Sequence, residues 1–338
     1  MFRQYLEKII KKIDLCEKEM FHMINKIFSG NITDAQIGAF MAALATKGET
    51  FEELAGAAKA MRQNAIKINT GIPNVVDTCG TGGDGADTFN ISTTSAFVVA
   101  GCGVTVAKHG NRSVSSLCGS ADLLETLGAE IGTDPGMAQK SIADIGIGFM
   151  FAPLFHGAMK YAANARKEIG IRSIFNMVGP LSNPAGADCQ VIGVYEPKLT
   201  EMFANALVRL GSKRAFVVHG HDGLDEITVC APTRISELKN GKVTTYDISP
   251  EEFFGKTADS KSLAGGNPKV NTEITRKVLS GEKSPRRDVV LINASAALVV
   301  SGKAKDLKEG IQIAKESIDS GAAMNKLDEL ITFTRKIS

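Results

Sequence analysis

The stretch VVDTCGTGGDGADTFNIST, residues 75–93, decides the fold. Its apolar start predicts a buried strand, its glycines predict a tight loop, and the following segment predicts a helix that starts near Asn90 or Ser92. A strand, a loop and a helix in this order are typical of an α/β fold. Starting at Gly80, the stretch also has the G-x-G-x-x-G spacing of a dinucleotide-binding loop.

The surroundings of the loop do not fit a dinucleotide site. Such a site needs a helix that begins at the third glycine and an acidic residue about 20 positions later. Here ADTFN precedes the helix, no Asp or Glu lies between Thr88 and Lys108, and the next strand ends near the cation Lys108. A Walker-type loop is excluded because no Gly-Lys-Ser/Thr follows. The glycines remain suited to present backbone N–H groups to an anion, although a glycine-rich turn without a ligand is the alternative.

The pattern of the whole chain predicts an α/β protein with a helical start. The first 65 or so residues have helical periodicity, with Thr33 as a helix cap and Thr50-x-x-Glu53 as a capping box, and they form a helical subdomain or a helical cap. From Asn74 onward short apolar runs alternate with helical runs, which predicts a largely parallel sheet. Residues 306–337 predict two more amphipathic helices. Ligands of such sheets bind at the carboxyl ends of the strands.

Composition excludes several classes of protein. A net charge of +2 over 338 residues argues against a dedicated nucleic-acid binder. The six cysteines have neither metal-knuckle nor redox-pair spacing, which favours a reducing compartment. The charged N-terminal segment does not resemble a signal peptide, and no apolar run is long enough to span a membrane. We therefore expect a cytoplasmic protein that binds neither nucleic acid nor membranes.

Two further loops carry candidate binding residues. AKHGNRSVSSLCGS, residues 107–120, combines cations, serial hydroxyls and glycines, which suits a second phosphate group, or else a polar loop in which Ser120 caps the next helix. Asp225 and Glu226 follow a predicted buried strand and can bind a hard cation such as Mg²⁺, although an adjacent pair of this kind is more often a solvated surface pair. Asp84, a carboxylate inside a predicted anion loop, points to Mg²⁺ or a sugar hydroxyl. His219 and His221 lack a third zinc ligand, and we interpret them as packing residues or substrate contacts.

Together these loops resemble the anthranilate phosphoribosyltransferases of tryptophan biosynthesis. The resemblance runs nearly end to end and includes GIGFMFAPLFHGAMK, IRSIFNMVGPLSNPA and VVHGHDGLDEI. It implies an α/β large domain with a mostly parallel sheet plus a small all-helical domain, as in nucleoside phosphorylases and phosphoribosyltransferases. The implied division is a helical domain at 1–68 with a return segment near 160–184, and an α/β domain at 69–159 and 185–338. It also implies a homodimer formed through the helical domain.

The resemblance further implies an activity and a set of site residues. The enzyme would join the amine of anthranilate to phosphoribosyl pyrophosphate (PRPP), with Mg²⁺ as cofactor, and release pyrophosphate. Lys108 would stabilise the leaving group, and no single general base is expected, because the aniline-like amine is neutral at pH 7. The residues that match the PRPP motifs are Gly80, Gly83, Asp84, Thr88, Asn90, Ile91, Ser92, Thr93, Lys108, His109, Gly110, Asn111, Arg112, Ser113, Val114, Ser115, Ser116 and Ser120. Those that match anthranilate contacts are Gly80, Asn111 and Arg166, and those that match metal positions are Ser92, Asp225 and Glu226.

The chain departs from the family pattern at two positions, and two rival functions are alternatives. Gly157 and Asn164 stand where the family pattern has prolines, on the segment that leads to Arg166. One rival is a pyrimidine nucleoside phosphorylase, which shares the fold but uses free phosphate without a carboxylate pair. The other is a non-catalytic relative that binds nucleic acid. The intact glycine loop, the Asp225–Glu226 pair and the low net charge speak against both.

Overall fold

A computed structural model describes residues 1–113, 116–132 and 134–336. Within them, seven strands form one sheet in the order β3-β2-β1-β4-β5-β6-β7, of which the first five are parallel and the last two antiparallel. The strands are β1 (Val76–Gly80), β2 (Val106–Gly110), β3 (Ile147–Phe151), β4 (Cys189–Gly193), β5 (Arg214–Gly220), β6 (Thr233–Lys239) and β7 (Lys242–Ile248). The predicted α/β class with a mostly parallel sheet is confirmed.

The sheet is flanked by helices. Those that precede β1 are α1 (Phe2–Ile10), α2 (Glu17–Phe28), α3 (Asp34–Lys47) and α4 (Phe51–Asn64). Between β1 and β5 lie α5 (Ile91–Gly101), α6 (Ser120–Leu127), α7 (Pro135–Ile145), α8 (Ala152–Phe155), α9 (Lys160–Ile169), α10 (Ile174–Met177) and α11 (Leu199–Arg209). After β7 come α12 (Glu251–Phe254), α13 (Pro268–Leu279), α14 (Pro285–Ser301), α15 (Leu307–Asp319) and α16 (Ala322–Arg335), and 3₁₀ turns occupy Gly157–Met159 and Ser260–Leu263.

Local chemistry sets the helix starts near the N-terminus. The hydroxyl of Thr33 accepts from the N–H of Gln36, and that of Thr50 accepts from the N–H of Glu53, whose carboxylate in turn accepts from Thr50 N–H. Both predicted caps are therefore confirmed. The Glu53 carboxylate is fully buried and pairs with Lys47 at 2.9 Å, which ties α4 to the end of α3.

Both faces of the parallel strands are buried, because side chains alternate between two apolar clusters. In β4, Val191 belongs to the cluster that contains apolar residues of α5, α14, α15 and α16, whereas its neighbour Ile192 belongs to the cluster with α2, α3, α4 and α11. In β5, Val218 belongs to the first of these clusters and its neighbour Val217 belongs to the second. The N-terminal helices thus share a core with one face of the sheet, and the C-terminal helices cover the other.

Helices α9 and α10 return to the N-terminal bundle. Helix α9 contacts α2 and α3, and α10 contacts α3 and α4. This packing is what a return segment near 160–184 requires, while the exact division between the domains stays a prediction. No helix in the described part of the chain is long and apolar enough to cross a membrane.

The order of the strands fixes where a ligand can bind. Strand β1 lies between β2 and β4, so the chain moves one way along the sheet from β1 to β3 and the other way from β4 to β5. In open parallel sheets the crevice at such a reversal, outside the carboxyl ends of the strands, is the usual ligand site. The carboxyl ends of β1, β2 and β4 are Gly80, Gly110 and Gly193.

Candidate active site

The glycine-rich loop after β1 is shaped by left-handed backbone. Gly82, Gly83 and Gly85 have φ of 66°, 74° and 71°, a region that side chains other than glycine rarely adopt. Among the described residues, the N–H groups of Gly83, Asp84 and Gly85 find no hydrogen-bond acceptor. Consecutive free amides in a loop of this kind form a concave anion site.

The carboxylate pair after β5 closes one side of the glycine loop. Asp225 Oδ2 accepts a 2.8 Å hydrogen bond from the N–H of Gly82. A Cβ at Gly80 would lie 2.5 Å from that same oxygen, and a Cβ at Gly193 would overlap the carbonyl oxygen of Asp225. The structure therefore brings Asp225 against the ends of β1 and β4, and glycine at both positions allows the close approach.

The N-terminus of α5 lies beside this pair. The helix begins at Ile91 with Asn90 in the cap position, which confirms the predicted start. Glu226 Oε1 accepts a 3.1 Å hydrogen bond from the N–H of Ser92, and Lys108 Nζ lies 3.4 Å from Ser92 Oγ. A hydroxyl, a carboxylate and a cation thus meet at the first turn of a helix, where the dipole also favours an anion.

Burial sets the charges at this site. Burial raises the pKa of Glu226 to about 7, against the opposing pull of Lys108. Burial, together with the charges of Asp84 and Glu226, raises the pKa of Asp225. Burial lowers the pKa of Lys108, although the buried Asp77 counteracts it. Because burial disfavours the ionised forms of these two carboxylates, a cation bound beside them would stabilise those forms.

A metal ion fits the donors on the chemistry of their oxygens. Within the described residues, no three His, Cys, Asp or Glu side chains are placed to hold a metal ion by themselves. Mg²⁺, however, usually takes one or two carboxylates and completes its shell with water and substrate phosphate. Asp225, Glu226 and the hydroxyl of Ser92 supply such a partial set of hard oxygens.

The second loop is folded onto the start of α6. Arg112 makes ion pairs with Asp122 and Glu125 at 3.0 and 2.6 Å, which raises its pKa. Ser113 donates its N–H to Asp122. Val114 and Ser115, two of the predicted PRPP residues, lie outside the described residues. In this structure the Arg112 side chain is directed to α6, and its predicted contact with PRPP stays a prediction.

Ser120 is not the helix cap. Helix α6 begins at Ser120, and Gly119 takes the cap position, with its N–H bonded to Asp122 Oδ2 at 2.9 Å. A glycine is needed there because a Cβ would collide with the backbone of Arg112 and Ser113. The hydroxyl of Ser120 instead accepts a 3.1 Å hydrogen bond from Thr93 Oγ1, which joins the starts of α5 and α6.

The remaining predicted PRPP residues have different surroundings. Asn90 bonds to Cys118 O and to Asn271, which ties the start of α5 to the second loop and to α13. Thr88 forms an isolated bridge with Ala264. Ile91 is buried in the core under the helix start. Gly110 and Asn111 follow β2, and Asn111 Oδ1 accepts from Arg112 N–H at 2.7 Å.

Arg166 is half-buried on α9 without an anionic partner. Its guanidinium carbon lies 5.9 Å from the centre of the Phe175 ring, and burial lowers its pKa. In the part of the chain that the structure describes, it makes no ion pair and its side chain donates no hydrogen bond. Asn164, one of the two departures, stands inside α9 and donates a 2.7 Å hydrogen bond to Asp34 Oδ2. The departure therefore leaves the helix that carries Arg166 intact.

Sequence reasoning missed three groups at the site. Asp77 is fully buried in β1, accepts from His109 N–H and from Asn183, and faces Lys108. A carboxylate inside an apolar strand is itself an indication of function or pairing.

His156 lies 3.2 Å from His109, Nε2 to Nε2. Arg172 reaches the glycine loop, and no local pattern indicates it. His219, by contrast, is a packing residue, bonded to Val194 O at 2.7 Å.

Two family models match consecutive parts of the chain. The sequence model of the glycosyl transferase family, helical bundle domain, matches residues 3–65, and that of its a/b domain matches residues 72–324. The anthranilate phosphoribosyltransferase of Desulfosudis oleivorans is 67% identical over 336 residues, which cover 99% of each chain. The chain belongs to the anthranilate phosphoribosyltransferase family.

Solved anthranilate phosphoribosyltransferases have the same fold. The enzyme of Thermus thermophilus superposes with a TM-score of 0.92 at 39% identity, over 98% of this chain and 99% of that one. The enzyme of Saccharomyces cerevisiae, solved in complex with PRPP and Mg, has a TM-score of 0.88 at 28% identity, over 99% and 98% of the two chains. The family that the three loops resemble is thus confirmed.

Proposed function

We propose that this chain transfers the 5-phosphoribosyl group of PRPP to the amine of anthranilate, giving N-(5-phosphoribosyl)anthranilate and pyrophosphate in tryptophan biosynthesis. One observation carries the proposal. Where the strand order of the sheet reverses, the amides of residues 83–85, which have no acceptor among the described residues, lie beside the Asp225–Glu226 pair. The charge of Lys108 acts on Glu226 from nearby. This arrangement suits a substrate that brings both a highly charged phosphate group and a metal ion.

PRPP would bind with its pyrophosphate toward the glycine loop. The loop supplies backbone N–H groups, the start of α5 supplies a helix N-terminus, and the hydroxyls of Ser92 and Thr93 lie beside it. The hydroxyls of Ser113, Ser116 and Ser120 would serve the other phosphate. Asp84 would face the sugar hydroxyls or the metal ion.

Asp225, Glu226 and Ser92 would hold Mg²⁺. When bound, the ion would neutralise charge on the pyrophosphate oxygens. The raised pKa values of Asp225 and Glu226 support this assignment, since a divalent cation stabilises the ionised form that burial disfavours.

Lys108 would stabilise the leaving group. As the bond between C1 of the ribose and the pyrophosphate oxygen breaks, negative charge grows on the pyrophosphate and positive charge grows on the ribose ring. The ammonium of Lys108 is held by Thr78 O at 2.6 Å and cannot swing away without breaking that bond. A fixed charge of this kind acts without reorganising during the reaction, which is the largest source of rate enhancement in many enzymes.

Arg166 would bind the carboxylate of anthranilate. A half-buried guanidinium that has no anionic partner among the described residues is costly unless an anion binds to it. The neutral amine then attacks C1, the new N–C bond replaces the bond to pyrophosphate, and the nitrogen releases one proton to the departing pyrophosphate or to water. Gly80 and Asn111, at the ends of β1 and β2, would line the path of the amine. The role of Arg166 is to aim the nucleophile, a proximity effect.

Two further proposals concern assembly and compartment. Ile10, the last residue of α1, and Ile13, three residues after it, are 64% and 49% exposed, and a homodimer formed through the helical domain would cover them. Light scattering of the purified protein and of an Ile10→Lys, Ile13→Lys variant tests the dimer, which should dissociate in the variant. All six cysteines are free thiols, in keeping with a cytoplasmic enzyme.

The decisive test of the reaction uses the fluorescence of anthranilate. We expect its emission to fall when PRPP and Mg²⁺ are added together, and to stay constant when either is omitted. Formation of pyrophosphate in equal amount, measured in the same samples, establishes the stoichiometry. A folded protein that leaves the emission unchanged, but cleaves a pyrimidine nucleoside with free phosphate, would contradict the proposal.

A further inference from the structure

Arg172 lies in the short connection between α9 and α10 and touches the glycine loop. Its guanidinium is exposed, its Nη2 donates a hydrogen bond to the carbonyl oxygen of Gly83, and its Cζ lies 4.2 Å from the centre of the Tyr195 ring. The flat guanidinium is therefore held between a ring on one side and the loop at its edge. Stacking of this kind is a preferred geometry for arginine.

The contact fixes the direction of one peptide group. In a trans peptide the C=O and the following N–H point in opposite directions. Since the oxygen of Gly83 is directed to Arg172, the N–H of Asp84 points away from it. That N–H is one of the three free amides of the loop. Arg172 thus determines which way a candidate phosphate-binding amide faces.

A second hydrogen bond holds the loop, because Asp225 accepts from the N–H of Gly82. Asp225 holds the loop from the side of the sheet, and Arg172 holds it from the side of the return segment. A loop with three glycines at positive φ has few side-chain contacts of its own and a large conformational entropy to lose. Two external hydrogen bonds, to peptide groups that are separated by one other peptide group, reduce that entropy before any ligand arrives.

We propose that Arg172, supported by the ring of Tyr195, is a positioning residue that pre-orders the glycine loop for PRPP. This inference rests on the proposed function, because PRPP is the ligand whose pyrophosphate the loop would bind. Arg172 acts through the backbone of Gly83 and not by touching the substrate. Its removal should therefore weaken PRPP binding more than anthranilate binding, since the loop carries the free amides and Arg166 lies on a different element.

The test compares variants at Arg172, Tyr195 and Arg209 with the wild type. Arg172→Met keeps the apolar stem and removes the charge and the donors. Tyr195→Phe keeps the ring, whereas Tyr195→Leu removes it. Arg209→Met is the matched control, because Arg209 also stacks on a ring, that of Phe51 at 5.8 Å, but contacts no residue of the loop.

We expect Arg172→Met to raise the KM for PRPP by about tenfold, the change expected for loss of one hydrogen bond from a charged group. The KM for anthranilate should change by less than about twofold, and Arg209→Met and Tyr195→Phe should resemble the wild type. Tyr195→Leu should raise the KM for PRPP by a smaller factor, and it should add little in the Arg172→Met background, because the two residues act as one unit. Arg172→Lys should restore part of the loss, since it keeps one charged donor.

Three results would distinguish an error in the role of Arg172 from an error in the proposed function. If the wild type turns over both substrates and Arg172→Met has an unchanged KM for PRPP, the positioning role is wrong and the proposed function stands. If Arg172→Met lowers kcat and thermal stability equally with Arg209→Met, with both KM values constant, Arg172 is a purely structural residue. If the wild type neither binds PRPP in calorimetry nor turns it over, the proposed function fails and this inference fails with it.

Discussion

Asp225 accepts a hydrogen bond from the backbone of Gly82, 143 residues earlier in the chain, at 2.8 Å. The bond joins the loop after β5 to the loop after β1 and places a carboxylate beside the free amides of residues 83–85. A candidate anion site and a candidate cation site therefore lie side by side.

The response to Mg²⁺ should depend on pH through Glu226. Because burial raises its pKa to about 7, protons and Mg²⁺ compete for the carboxylate near neutral pH. We expect the Mg²⁺ concentration for half-maximal activity to fall as pH rises from 6 to 8, by up to about tenfold per unit below pH 7. Titrations at several pH values measure this, with exposed Glu282→Gln as control. In Glu226→Gln the dependence should flatten, and a persistent slope would contradict the assignment.

The same shift affects folding stability. A carboxyl group whose pKa is raised on folding binds its proton more tightly in the folded state. Its contribution to stability is therefore complete at low pH and is lost as pH rises from about 4.5 to about 7. Glu226→Gln should remove this loss, which urea unfolding at pH 5 and pH 8 without Mg²⁺ can measure.

Removal of the Lys108 ammonium should impair catalysis and shift its pH dependence. Lys108→Met should lower kcat by about 100- to 1,000-fold, the range found when a fixed stabilising group is removed. Because Lys108 also opposes the rise in the pKa of Glu226, the Mg²⁺ response of the residual activity should move to higher pH. Lys269→Met, an exposed position on α13, is the control. Wild-type kcat in Lys108→Met would exclude the leaving-group role.

Arg166 should govern one substrate and not the other. Arg166→Ala is expected to raise the KM for anthranilate far more than the KM for PRPP, because the guanidinium has no described anionic partner apart from the proposed carboxylate. The expected loss is about 10- to 100-fold, as for a hydrogen bond to a charged group. Steady-state kinetics with each substrate varied in turn provide the measurement. An equal rise in both KM values would remove Arg166 from this role.

The His109–His156 pair should make the protein sensitive to acid. Burial lowers the pKa of His109 to about 3 and that of His156 to about 4, so both are neutral in the folded state at pH 5. Unfolded histidines take up protons near pH 6.5, so stability is lost as pH falls through the range from 6.5 to 4. His156→Phe should reduce the slope of unfolding free energy against pH there, and exposed His22→Phe should not. Equal slopes in all three proteins would disprove the prediction.

The close approach at Gly193 should not tolerate a side chain. A Cβ there overlaps backbone of Asp225, so Gly193→Ala must move the carboxylate loop. We expect a loss of about 1–3 kcal/mol in unfolding free energy and a weaker Mg²⁺ response. Gly38→Ala is the matched control, because Gly38 lies inside α3 with open space around it, and it should gain about 0.5–1 kcal/mol. Denaturant unfolding of both variants gives the comparison.

Local patterns account for most of what the sequence could predict. The helix start after Asn90, the caps at Thr33 and Thr50, and the glycine loop all depend on residues within a few positions of one another. The β6–β7 hairpin had such an indication too, since Asn240 and Gly241 form the preferred pair for a two-residue turn. Strand β7, at the edge of the sheet, contains exposed and half-buried residues but no buried one, which weakens its apolar pattern.

Contacts between distant segments were not predictable in the same way. Arg172 meets Gly83 across 89 positions, and in the sequence it looks like any surface cation before a helix. His156 and His109 meet because β3 pairs with β2, a pairing that periodicity alone does not reveal. The sequence shows that Asp77 is a carboxylate in an apolar strand. It does not show the partners of Asp77, because Asn183 and Lys108 lie in other segments of the chain.

The β6–β7 hairpin has a practical consequence. It forms the outer edge of the sheet, three strands away from β1, and its turn at Asn240 and Gly241 uses positive φ at both residues. A fluorophore or an affinity handle attached at exposed Lys242 would therefore report on the enzyme, or fix it to a surface, with the substrate crevice left open.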